Sequence, residues 1–148
     1  MGDRVASAAI CSNMVRSTRL PNNASIFRAE LYAVTLAMYF VRCSRNSNFV
    51  IFSDSMPSLE ALDGFKLELD LVQKIIKDYT HFTNNGKTII FCWIPSHVNI
   101  PGNEKADVSK VVVVVLNALE LDEFRSASWP IRNEWWVVWM SVDERQSM

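Results

Sequence analysis

Three carboxylates stand where carboxylates are costly, and a histidine precedes the third of them. Glu30 falls inside an apolar stripe, three residues after Phe27 and four before Val34. Asp54 closes the apolar run Phe49–Phe52 after Ser53. Open α/β sheets collect ligands at the carboxyl ends of such strands. Asp107 follows a segment, 95–102, that holds two prolines, a glycine and His97. Like charges gathered in one cleft repel and raise each other's pKa, so a cluster of this kind makes sense only with cations to neutralise it. Oxygen-only ligation suits Mg²⁺ or Mn²⁺. Each residue also has a plainer reading. Glu30 can be a solvent-facing helical charge and Asp107 a surface charge. Asp54 can cap the helix after it, and His97 can be a hydrogen-bonding loop residue. Only the joint pattern is specific.

The elements that must position these groups follow from periodicity and punctuation. Arg4–Cys11 is rich in small residues and reads as a strand. Ser12-Asn13 turns it, and Met14–Leu20 returns as the second arm of a hairpin. Ser25 caps a helix over 26–41, with Phe27, Val34, Ala37, Met38 and Val41 on one face. Phe49–Phe52 reads as a central strand covered on both sides. Ser55 and Pro57 open a further helix through Leu62. Residues 67–82 are amphipathic, with Leu71, Val72, Ile75, Ile76 and Tyr79 on the apolar side, and Asn84-Asn85-Gly86 ends them. Thr88–Ile94 is another buried strand, and Asn103 caps a helix carrying Glu104 and Asp107. This alternation predicts an α/β fold with parallel pairing in its later half. Beyond Lys110 the signals conflict. Five valines, Val111–Val115, favour a strand locally, yet they continue the segment holding Asp107. Residues 116–124 are helical in pattern, and the aromatic-rich 129–139 suggests a short helix packing back on the domain. Its tryptophans could stack bases, but packing is their commoner role.

Composition narrows the function classes. Hydrophobic residues make up 49% of the 148 and charged ones 21%, an ordinary globular balance that argues against disorder. The formal net charge of -1 counts against tight nonspecific nucleic-acid binding, though bound cations would offset local acidic charge. Cys11, Cys43 and Cys92 form no CxxC pair, which suggests a reducing, intracellular compartment and no zinc site. The longest apolar run is too short for a bilayer, and the amino terminus lacks a secretion pattern. Nucleotide-binding glycine loops and a serine-hydrolase elbow are both missing. Cys92 lies in a buried strand, where thiols are inert.

Four ordered strings carry a resemblance: Ala29-Glu30-Leu31-Tyr32-Ala33, Phe52-Ser53-Asp54-Ser55, Trp93-Ile94-Pro95-Ser96-His97-Val98, and Pro101-Gly102-Asn103-Glu104-Lys105-Ala106-Asp107. Together, over about residues 5–110, they resemble the ribonuclease H family, in particular the ribonuclease H domains of non-LTR retrotransposon polyproteins. The resemblance implies a mixed sheet flanked by helices, in a domain over 1–110 with an extension over 111–148. It implies that Glu30, Asp54 and Asp107 are metal-site acids, that His97 is a mobile loop histidine assisting catalysis, and that two Mg²⁺ or Mn²⁺ ions serve hydrolysis of the RNA strand of an RNA–DNA hybrid. It also implies membership of a longer reverse-transcriptase polyprotein. In this family the first acid lies in a first strand that has no counterpart here. Asp3 is the only acidic residue before Glu30, and Met1-Gly2-Asp3-Arg4 resembles the turn leading into the family's second strand. Loss of a shared ligand predicts weak or absent activity, and loss of the strand predicts an unpaired neighbour beside Ile51 or Ile90. The valine run and the scattered Lys66, Lys74, Lys77 and Lys87 depart from the family pattern too. The competing expectations are a noncatalytic nucleic-acid-binding domain and a structural remnant.

Overall fold

The computed structural model describes residues 5–64, 66, 68–94, 110–117 and 137–138. Strands β1 (Ala6–Cys11) and β2 (Met14–Arg19) form the expected hairpin. Ser12 takes a positive φ of 55° at the first central position of the two-residue turn, as tight hairpins require. Helix α1 (Ile26–Cys43) starts at Ser25, whose hydroxyl accepts from the Arg28 amide. Strand β3 (Asn48–Ser53) leads into α2 (Met56–Asp63), then α3 (Asp70–Asn84) and β4 (Thr88–Trp93). Gly86, at φ 87°, makes the turn out of α3 that a side chain would strain.

The valine run is decided in favour of a strand. Lys110–Asn117 forms β5, and Val137–Val138 forms a two-residue β6. The sheet runs β2-β1-β5-β3-β4-β6. β5 is parallel to β1, β3 is parallel to β4, and the remaining pairs are antiparallel, so the architecture is α/β with a mixed sheet. Three expectations change accordingly. Leu116 and Asn117 are strand, although 116–124 has a helical pattern, and Val137 and Val138 are strand inside a segment read as helical. The sheet does not end at residue 110, because β5 is one of its inner strands. Ile51 is paired on both sides, with Val115 and with Phe91. For β5 the physical reason is the same throughout. Stiff β-branched side chains fit a pleated surface, and an inner slot between β1 and β3 pairs the backbone of β5 along both edges.

Helices α1, α2 and α3 share one apolar cluster with Ala9, Cys11, Phe49, Ile51, Phe91, Val113 and Val115 of the sheet. The alternate residues Ala8, Ile10, Val50, Phe52, Cys92 and Val114 are buried as well, which accounts for unbroken apolar runs in place of alternation. A second small cluster, Val5, Leu20 and Ala29, lies at the start of α1. Lys87 closes the other end of that helix by donating to the carbonyls of Val41 (2.6 Å) and Ser44 (2.7 Å). No helix among the described residues is long and apolar enough to cross a membrane.

Candidate functional site

Glu30 lies in the second turn of α1, on the face it shares with the fully buried Ala33, Val34 and Ala37. That stripe must pack on the sheet, so the carboxylate goes in with it. Ser7 fixes the depth of the helix there: fully buried in β1, it donates to the Ala29 carbonyl at 2.7 Å. Glu30 is half-buried, and among the described residues its Oε2 is buried without a hydrogen-bond partner. Burial, and after it the charge of Asp54, pushes the carboxyl up to about 7. A surface helical charge would show neither feature, so the plainer reading of Glu30 is set aside.

Asp54 follows the last residue of β3 and is exposed. It does not cap α2. Ser55 does, accepting from the Ser58 amide at 3.3 Å and sharing a 2.8 Å contact between the two hydroxyls. The turn is held around Asp54 from several directions. The buried Ser53 hydroxyl accepts from the Ser55 amide, the Ile94 amide donates to the Ser53 carbonyl, and the Trp93 indole donates to the Asp54 carbonyl at 3.3 Å. These backbone anchors leave the carboxylate at the carboxyl edge of the parallel pair β3–β4, where its charge acts on Glu30.

Two of the sequence-predicted acids are therefore electrostatically coupled across one end of the sheet. Asp107 and His97, with Glu104, lie outside the described residues. The described chain leaves this end of the sheet at Ile94, after β4, and rejoins it at Lys110, where β5 starts antiparallel to β3. His97 is three residues beyond Ile94 and Asp107 three residues before Lys110. Among the described residues no group of three or more His, Cys, Asp or Glu is arranged to hold a metal ion. What they supply is a pair of carboxylates, one with an unsatisfied buried oxygen. That donor set fits a hard divalent cation, which prefers oxygen ligands.

Sequence reasoning found Ser55 as the start of α2 but gave Ser7, Ser53, Ser58 and Trp93 no positioning role. Ser7, in an otherwise small and apolar strand, and the serines flanking Asp54 were the available signals. Trp93 gave none, since its indole bond depends on the register of β4 against β3. Compared with family models, with curated proteins and with solved structures, the chain has no match.

Proposed function

We propose that this chain is a ribonuclease H-type domain that binds RNA–DNA hybrids and has at most weak metal-dependent nuclease activity on the RNA strand. The observation that carries the reading is the coupled pair Glu30 and Asp54, with the buried, unpartnered Oε2 of Glu30. An unsatisfied buried carboxylate oxygen costs free energy, and a cation offsets that cost. Glu30 and Asp54 would hold a divalent ion, Mg²⁺ or Mn²⁺, with Asp107 as the third acid. Held there, divalent cations would supply activation of water and stabilisation of the leaving oxygen of a phosphodiester. This chain's own contribution is placement. Ser7 seats α1 and thereby Glu30, while Ser53, Ser55 and Trp93 hold the turn bearing Asp54. His97 would move protons beside the reacting phosphate. Hybrid recognition would rest on groove shape and 2′-hydroxyls.

One observation favours a second reading, a noncatalytic nucleic-acid-binding domain. The inner strand beside Ile51, where loss of the family's first strand predicts an unpaired neighbour, is β5, and Lys110–Asn117 holds no carboxylate. The two readings divide on a cleavage assay with a labelled RNA–DNA hybrid and Mg²⁺. Slow cleavage that disappears in Asp54→Asn supports the nuclease. Turnover unaffected by Asp54→Asn refutes the assigned site, and binding without cleavage leaves the noncatalytic reading.

A further inference from the structure

The near-neutral total conceals a segregation of charge. Residues 5–53, which make up the hairpin, α1 and β3, contain five arginines against Glu30 alone. Residues 54–94 contain four lysines against six carboxylates. Folding then concentrates the first group. The Arg16 guanidinium, from the edge strand β2, lies 3.6 Å from the centre of the Tyr39 ring on α1. Arg42 follows Tyr39 at i+3, the spacing that puts two side chains on one helical face. Arg45 comes just past the helix end, where the Lys87 ammonium sits on the Val41 and Ser44 carbonyls. Arg16, Arg42 and Arg45 are exposed, and none makes an ion pair among the described residues. Arg28, by contrast, is neutralised by Asp70.

We propose that the edge formed by β2 and the second half of α1, with Arg16, Tyr39, Arg42 and Arg45, is an anion-binding surface for a polynucleotide backbone, separate from the carboxylate pair. Tyr39 is nine residues beyond Glu30, about 14 Å along the helix and half a turn around it, so the surface does not belong to the carboxylate site. Each cation has a local structural use: charge on an edge strand discourages aggregation, and Arg42 complements the helix dipole. Those uses do not require Arg16 to rest on the Tyr39 ring, one helical turn from Arg42, with no ion pair to either arginine among the described residues. Fork-shaped guanidinium donors suit phosphate oxygens, and an arginine resting on an aromatic ring offers a flat surface to a base. The choice of a polynucleotide over another polyanion rests on the nuclease reading, whereas the surface itself does not.

The test is fluorescence anisotropy on the full chain with labelled single-stranded DNA and RNA–DNA hybrid oligonucleotides, in EDTA, across about 50 to 200 mM salt. Arg16→Glu/Arg42→Glu is expected to weaken binding on the order of tenfold or more and to flatten the log–log salt slope by about 2. Arg16→Lys/Arg42→Lys keeps most of both. Binding is read in EDTA, where the carboxylate pair holds no cation and no metal-dependent cleavage occurs, so failure of the nuclease reading is separable from failure of this one. A measurement on the unaltered chain avoids any folding defect: oligonucleotide should protect Arg16 and Arg42 from phenylglyoxal, read by mass spectrometry. Full reactivity in the presence of saturating oligonucleotide, an unchanged salt slope, or binding to anionic vesicles without binding to oligonucleotide would each overturn the proposal.

Discussion

Replacing Glu30 by Gln tests whether its carboxyl is held in the environment described above. The folded-state value near 7 lies above the ordinary value of 4.5. Between those two pH values the native state therefore holds a proton that the unfolded chain has released, so stability falls as pH rises through the window and is complete only below it. At about 1.4 kcal/mol per tenfold change in proton affinity, the gap corresponds to roughly 3 kcal/mol, and solvent screening at a half-buried group reduces that to about 1–2 kcal/mol. Glu30→Gln keeps the shape and removes the charge. In EDTA its stability should vary less between pH 5 and 8 than that of the unaltered chain, with the gap widening to about 1–2 kcal/mol at pH 8. Urea denaturation at several pH values reads this as a midpoint difference of roughly 0.5–1 M. The difference between the two chains cancels titrating groups that do not interact with Glu30. Adding Mg²⁺ at pH 8 should restore about 1.4 kcal/mol to the unaltered chain at ten times the dissociation constant, and little to the variant. Parallel pH profiles for the two chains would refute the argued burial of Glu30.

Asp54→Asn should lower the Glu30 titration midpoint only partway toward 4.5, because burial outweighs the Asp54 charge as its cause; NMR of the side-chain carboxyl follows it. Val115→Ala, which removes buried methyls between Cys11 and Ile51, should cost about 2 kcal/mol by urea melt. A cost near zero would mean that β5 is not an inner strand. Lys87→Met leaves two carbonyls at the end of α1 without their ammonium donor and should cost on the order of 2 kcal/mol, with faster amide exchange confined to the last turn. Ser55→Ala removes the α2 cap and its Ser58 contact, a loss of about 1 kcal/mol measurable by thermal melt.

What the sequence determined by itself is local. The hairpin, three helices and buried strands were legible because apolar spacing, serine caps and the Asn-Gly turn act within a few residues of one another. Glu30 and Asp54 were singled out for the same reason, as charges interrupting an apolar stripe and ending an apolar run. Tertiary structure alone decided three things. It put the valine run between β1 and β3, since strand pairing joins residues far apart in the chain, such as Ala6 with Lys110 and Phe52 with Val114, and five valines carry no label for their partners. It turned Glu30 from one charge in an apolar stripe into a half-buried carboxyl that feels Asp54, because burial depends on how α1 is seated by Ser7. It also brought Arg16 onto Tyr39 beside Arg42, making a basic surface from arginines whose sum over the whole chain is concealed by acids elsewhere.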